Sequence, residues 1–235
     1  LDGRKRNLDW VEERDAPTKA GEQTRRVVAS DGVGLIFSSS GTAHNTAVAT
    51  YLQSRNIPQL FLASGASKFA DITQFPQATV GVQAPFRYEA RLYARYALAK
   101  NPNAKFAVIS QSDDFGRDYL SGLTDVLGDK YDSLVTGATY EISDPTIDSQ
   151  IVKLKASGAD VFVIAATPKF AAQSIRKAFE IGWRPMTFLS NVSVWRSTVM
   201  VPARVEGGPG IPPPAHAQEP RHPAVAGTTA GTRGG

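Results

Sequence analysis

The sequence predicts an α/β protein with parallel sheets flanked by helices, and three observations support this class. Short apolar runs rich in β-branched residues alternate with longer segments in which apolar residues recur every three or four positions. The clearest run, VFVIA at 161–165, is apolar throughout, as expected for a strand covered on both faces. Loops rich in glycine, serine and threonine follow several of the runs and lead directly into the next helical segment. This order predicts right-handed β–α–β connections.

Residues 144–170 contain the clearest of these units. Asp144 is predicted to cap the helix and Pro145 to occupy its first turn, after which apolar residues recur on one face. Gly158 is predicted to end the helix, because glycine adopts a left-handed backbone at little cost. The apolar run VFVIA at 161–165 is then the strand.

The other elements follow from the same patterns. The helix predicted at 88–99 should bury Leu92, Tyr93 and Tyr96 on one face. Strands are predicted at 4–14, 33–37, 59–63, 79–82, 105–109, 134–140 and 186–189, and helices at 18–30, 43–55, 88–99, 116–127 and 169–181.

Composition excludes several classes of function. A net charge of +4 in 235 residues, with both signs interleaved, gives no basic stripe for nucleic acid. The chain has no cysteine, which excludes disulfides and thiolate chemistry, and its three histidines favour neither a zinc site nor another metal site. No stretch approaches the roughly 20 apolar residues of a membrane-spanning helix. We expect no cofactor, because no glycine-rich phosphate motif or metal-spaced cluster is present.

Five segments, in this order, carry a family resemblance: PQLFLASGASKF, QSDDFGRDYLSGL, DPTIDSQIVKLKASGADVF, ATPKFAAQSIRKAFEIGW and PARVEGGPGI, at 58–69, 111–123, 144–162, 166–183 and 202–211. The chain resembles the substrate-binding proteins of branched-chain amino-acid-type ABC importers, which have the type I periplasmic-binding fold and include leucine/isoleucine/valine-binding proteins. The resemblance runs from about Gly3 to Ile211.

The resemblance implies two lobes that close on a small solute by a hinge, here near 83–87, and pass it to ABC permease subunits in the membrane. It implies a partial N-terminal lobe at 1–84 and a second lobe at 85–211. Family members begin with a further central strand and continue past Ile211, so the chain is expected to be truncated at both ends. The signal peptide of a periplasmic or membrane-anchored protein would have preceded it, and the complete protein is expected to be a monomer.

In the family, hydroxyls and backbone N–H groups of the first lobe hold the polar head of the ligand, and such groups at a helix start form an anion site. The matching positions follow the strands predicted at 33–37 and 59–63. Serine and threonine at these places can also serve simply as helix caps. The predicted contacts are Ser39, Ser40, Gly41, Thr42, Ser64, Gly65, Ala66 and Ser67.

In the second lobe, Phe115 matches a position where relatives place an aromatic ring over the ligand, although it can equally pack against its own helix. Asp114 could bind an ammonium group, but acidic residues before a helix are usually caps. Thr167 and Asn191 follow later strands and are predicted closure contacts. Leucine-binding relatives carry a carboxylate near Asn191, so the amide here counts against a simple α-amino acid.

The predicted function is therefore a solute-binding component of an importer and not an enzyme, with an amino acid, amide or related carboxylate as solute. A ligand-binding sensor or receptor domain of the same fold is the alternative. An enzyme built on a Rossmann-like sheet would need the dinucleotide fingerprint that this sequence lacks.

Residues 212–235 depart from the family pattern and are rich in proline and glycine, which predicts disorder. The codons of Ala217 to Pro220 can be chosen so that reading one base later gives Leu-Lys-Asn-Pro, as the family has at this distance. We therefore hypothesise an out-of-frame tail, with a genuine disordered extension as the alternative. Sequencing the DNA distinguishes them, because early stop codons in the shifted frame contradict the hypothesis.

Overall fold

The computed structural model describes residues 17–30, 32–81 and 83–203. The strand predicted at 4–14 and the tail at 212–235 lie outside these residues, as do Val82 and Asp31. Within them, the α-helices are α1 Pro17–Ser30, α2 Thr42–Ser54, α3 Phe86–Lys100, α4 Asp114–Leu127, α5 Tyr131–Leu134, α6 Asp148–Ala156, α7 Pro168–Glu180 and α8 Val201–Ala203. Shorter 3₁₀ turns are Ser67–Ala70, Gly128–Lys130 and Asn191–Ser193, and Arg196–Met200 is a π-turn.

The strands form two parallel sheets, as the alternation of patterns predicts. The first has the order β1-β2-β3 and the second β5-β4-β6-β7. The strands are β1 Ile36–Phe37, β2 Gln59–Leu62, β3 Ala78–Val80, β4 Phe106–Gln111, β5 Val135–Tyr140, β6 Val161–Ala165 and β7 Met186–Leu189. This mixed α/β architecture confirms the fold class. The proposed division at residues 84 and 85 stays a prediction.

The second sheet is covered on both faces, and its two central strands are mostly apolar. Every residue of β4 and β6 is buried. Alternate side chains of β4 enter opposite layers: Ala107 and Ile109 pack with α6 and α7, while Phe106 and Val108 pack with α3 and α4. The uninterrupted apolar runs of the sequence thus correspond to central strands of a three-layer unit.

Helices α3 and α4 approach closely through small residues. The buried face of α3 contains Ala90, Ala94 and Ala97, whereas Leu92 and Tyr96 are 47% and 55% exposed. The predicted burial of Leu92 and Tyr96 is therefore wrong, because close contact with α4 selects alanine for the buried face. Tyr93 is partly buried and packs against the core. A Cβ at Gly122 of α4 would lie 2.3 Å from the carbonyl oxygen of Arg87.

Helix α6 begins later than the sequence predicts. The Asp144 carboxylate accepts a hydrogen bond from the Glu141 N–H at 2.9 Å, so it closes a turn before the helix and does not cap it. The helix begins at Asp148, whose N–H donates to the Thr146 hydroxyl. The acidic residue and the proline that resemble a helix start therefore belong to a preceding loop.

The first sheet is shorter than predicted because its backbone is irregular where it meets the loops. The run at 33–37 forms a strand only at Ile36–Phe37. Ser38 and Phe61 have φ angles of 54° and 56°, which leave the extended region, and the pairing of β2 with β3 shifts register between Gln59 and Leu62. These departures lie at or next to the ends of the two strands that precede the predicted binding loops.

Candidate functional site

Two hydroxyl-rich loops meet at the carboxyl edge of the first sheet. The loop after β1 holds Ser39, Ser40 and Gly41 and leads into α2, and Ser40 forms a parallel bridge with Ala63 at the end of β2. Gly41 has a φ of 92°, which suits glycine and turns the chain into the helix. Since parallel strands end at the same edge, the two loops are neighbours there.

Side-chain hydroxyls join these loops directly. The hydroxyl oxygens of Thr42 and Ser64 lie 2.8 Å apart, and the Ala66 N–H donates to Ser64 Oγ at 3.2 Å. Thr42 and Ser64 are both buried. The structure thus brings these three predicted residues into one hydrogen-bonded group, with Gly65 between Ser64 and Ala66.

A buried amide that sequence reasoning missed supports the first loop. Asn45 is 1% exposed and donates from Nδ2 to the carbonyl oxygens of Ser39 and Gly41. Its Oδ1 accepts from Ser39 Oγ at 2.5 Å and from Gln59 Nε2 at 3.2 Å. An asparagine one turn after a serine-rich loop was the available signal, because its side chain can bond the preceding backbone.

The end of the second loop contacts helix α4 instead of the first loop. The Ser67 N–H donates to Asp118 Oδ2 at 2.6 Å, and Lys68 Nζ lies 2.5 Å from Asp114 Oδ2. Burial raises the pKa of Asp114, but hydrogen bonds from Lys68 and Arg117 outweigh it and hold that pKa below its usual range. Burial raises the pKa of Asp118. Asp114 is therefore already paired with two cations.

The start of α4 is built by Asp113 and Phe115. Asp113 is the N-cap, since its carboxylate accepts from the N–H groups of Phe115 and Gly116 at 3.0 and 3.3 Å. The Phe115 ring is 3% exposed, with its centroid 4.6 Å from that of Phe86 and 5.5 Å from that of Tyr119. This packing favours the alternative in which Phe115 is a core residue.

Thr167 lies beside a buried tyrosine of β5. Its N–H donates to the Tyr140 hydroxyl at 3.0 Å, and the two hydroxyl oxygens are 3.4 Å apart. Tyr140 in turn donates to Gln111 Oε1 at 3.1 Å. Burial raises the pKa of Tyr140, so the phenol stays protonated. The carboxyl ends of β4, β5 and β6 are thereby joined by one polar chain.

Asn191, after β7, is held at both ends of its carboxamide. Its Nδ2 donates to Glu89 at 2.8 Å, and its Oδ1 accepts from Gln83 Nε2 at 2.9 Å. Glu89 was missed in the sequence, because a glutamate in the first turn of an amphipathic helix ordinarily favours the helix dipole alone.

Two further features bear on the chemistry. An open cavity of about 480 Å³ lies along β5 and α6, and none of the predicted contacts lines it; Ser110, Thr139, Gln150 and Lys153 do. The predicted loops after β1 and β2 lie instead at the carboxyl edge of the first sheet, where open α/β sheets bind ligands. In the described ranges no three His, Asp or Glu residues are placed to hold a metal ion, and no helix is long and apolar enough to cross a membrane.

A sequence profile described as "Periplasmic binding protein" matches residues 1–210. No curated protein sequence matches the chain significantly.

Solved structures share the fold. An extracellular ligand-binding receptor from Rhodopseudomonas palustris HaA2 is 18% identical with a TM-score of 0.71, covering 83% of this chain and 54% of its own. A leucine binding protein from Thermotoga maritima MSB8 is 15% identical with a TM-score of 0.67, covering 82% and 54%. An ABC transporter solute binding protein from R. palustris in complex with benzoate is 17% identical with a TM-score of 0.64, covering 76% and 49%. The chain spans about half the length of these proteins.

Proposed function

Because the chain belongs to the periplasmic binding protein family, we propose that it is the extracytoplasmic solute-binding component of an ABC importer. It would capture a small polar solute, an amino acid, an amide or a related carboxylate, between two lobes that close around it. Its partners would be the permease subunits in the membrane, and the complete protein would act as a monomer without a cofactor.

The contact between the two first-lobe loops carries this proposal. Thr42 and Ser64 bring the loops together at the carboxyl edge of a parallel sheet, where open α/β sheets bind ligands. Polar groups that are already fixed by a buried amide lose little entropy when a solute binds. The arrangement therefore suits binding of a polar head group.

The proposed contacts come from both sheets. In the first lobe, the serine and threonine hydroxyls and the free N–H groups at the start of α2 would face the solute head. In the second lobe, Thr167 and Asn191 would close over it. The remaining proposed contacts are Asp114 and Phe115, which in this arrangement are engaged with Lys68 and with Phe86.

A thermal-shift experiment tests the proposal. L-Leucine, benzamide and benzoate represent the three solute classes, and a bound solute at 100 times its dissociation constant should stabilise the protein by about 2.7 kcal/mol. We expect one class to raise the melting temperature in a saturable way. If none does so, the proposed solute classes are wrong. If the gene is fused to a signalling domain and lacks neighbouring permease and ATPase genes, the sensor alternative replaces the importer.

A further inference from the structure

A buried carboxylate lies where α3, α4 and the loop after β7 meet. Glu89 is 8% exposed and accepts four hydrogen bonds. Two come from the hydroxyls of Tyr93 and Tyr119, the second at 2.5 Å. The other two come from Asn191, from its backbone N–H at 3.0 Å and its side-chain Nδ2 at 2.8 Å.

These four contacts satisfy both side-chain oxygens of Glu89 in the interior. A buried carboxylate is costly unless its oxygens are hydrogen-bonded, and here each oxygen accepts from one tyrosine and from one group of Asn191. Burial and the charge of Glu89 raise the pKa of Tyr119, while burial and the Glu89 hydrogen bond raise that of Tyr93. Both phenols therefore remain donors.

The same contacts fix the direction of the Asn191 carboxamide. Its nitrogen faces the Glu89 carboxylate and its oxygen faces the Nε2 of Gln83. Rotating the amide by 180° would set oxygen against carboxylate and nitrogen against nitrogen, which removes both hydrogen bonds. Among the described residues, one amide hydrogen and one oxygen lone pair of Asn191 are left for a further partner.

We infer that Glu89 is a positioning residue for the solute site, which holds Asn191 in the single orientation that a solute meets. This inference rests on the proposed function, because Asn191 is a solute contact only there. Glu89 would not touch the solute itself. It acts through Asn191 and ties that residue to the first turn of α3, next to the segment that joins the two sheets.

The contact is tested by exchanging its donor and acceptor. Asn191→Asp places two carboxylates together and should lower the melting temperature. Adding Glu89→Gln should recover it, since the new amide donates to the new carboxylate.

Glu89→Gln alone should speed hydrogen exchange of the peptide at 186–195 by about tenfold or more. Glu180→Gln, an exposed carboxylate on α7, is the control and should change neither. Unchanged exchange, or a double variant no more stable than Asn191→Asp, overturns the inference.

Solute binding separates this inference from the proposed function. With benzoate and L-leucine as probes in calorimetry, Glu89→Gln and Asn191→Ala should each weaken binding by a similar factor, and the double variant should weaken it no further. Factors that multiply would overturn the positioning role and leave the proposed function intact. Full affinity in Asn191→Ala would overturn the inference alone, because the two first-lobe loops carry the proposed function. A wild-type chain that binds neither of these probes nor benzamide would overturn both.

Discussion

Ser67 is the residue at which the proposed solute site borders the second sheet. Its backbone N–H and its hydroxyl both hydrogen-bond the Asp118 carboxylate, and its side chain is exposed, so a solute can reach it. We expect Ser67→Ala to weaken solute binding by about 1–3 kcal/mol, because a desolvated oxygen of the solute loses its donor. The fold should be unaffected, since the N–H is kept.

Calorimetry with the solute found by thermal shift measures this change. Ser133→Ala is the matched control, because Ser133 is an exposed serine on α5 that bonds only to its own turn. Equal affinity of Ser67→Ala and wild type would remove the second loop from the site.

Asp114 makes the contact between the second loop and α4 dependent on pH. Its folded pKa is lowered below the unfolded value of 3.8, so its pairing with Lys68 and Arg117 stabilises the protein above that value and is lost as the pH falls through the folded pKa. Asp114→Asn should therefore lower the melting temperature at pH 7, and its difference from wild type should shrink as the pH falls below 3.8.

Melting curves between pH 2 and 7 check this expectation. The contribution is modest, because the Asp114 side chain is 28% exposed and the Arg117 side chain 66%. A difference between the two proteins that persists unchanged at pH 2 would show that the substitution acts through packing and not through charge.

At the scale of the elements, the contact between α3 and α4 depends on Gly122. An added Cβ would lie 2.3 Å from the Arg87 carbonyl oxygen and 2.7 Å from the Ala90 Cβ, so the helices must move apart. We expect Gly122→Ala to lower the free energy of unfolding by about 1–3 kcal/mol, as overpacking does elsewhere.

Urea unfolding compares this variant with Gly137→Ala on β5, where no atom lies within 4 Å of an added Cβ. The β5 variant should be as stable as wild type or slightly more stable, because it removes conformational freedom from the unfolded chain. Equal midpoints for the two variants would contradict close packing of α3 on α4.

The sequence predicted elements whose pattern is local and missed those set by tertiary contact. The run at 161–165 is a strand with the predicted ends, because an apolar β-branched run bounded by Gly158 and a polar loop has few alternatives. The predicted buried face of α3 was wrong at Leu92 and Tyr96. Contact with α4 determines that alanines occupy the buried face, and the pattern within α3 does not show this. The late start of α6 was missed because the Asp144 carboxylate accepts from the Glu141 backbone N–H, and this bond replaces the predicted helix cap.

In the candidate site, too, local patterns were predicted and tertiary contacts were missed. The two hydroxyl loops could be located because each follows a strand, and a parallel sheet brings strand ends together. Glu89 could not, because its partner Asn191 lies 102 positions away in the sequence. The orientation of Phe115 was also beyond reach, since an aromatic residue at a helix start fits a core and a cleft equally well.

At the scale of the whole molecule, the first sheet carries an exposed apolar surface formed by Leu35, Phe37, Phe61 and Val80. These side chains are 43–61% exposed, and the Phe37 and Phe61 rings are in edge contact with centroids 5.5 Å apart. Exposed apolar side chains on a short sheet favour association in water. We therefore expect the 235-residue chain to self-associate at micromolar concentration.

Sedimentation velocity across a concentration series tests this expectation with a surface variant, Phe37→Ser with Phe61→Asn. Asparagine is chosen at 61 because it tolerates the positive φ of that position. The variant should shift the chain towards monomer, since it removes the two largest exposed rings of the surface. Tyr88→Ser is the control, because Tyr88 is a 53% exposed aromatic residue on α3, away from the first sheet. Monomeric wild-type protein, or an equal effect of Tyr88→Ser, would show that the first sheet does not drive association.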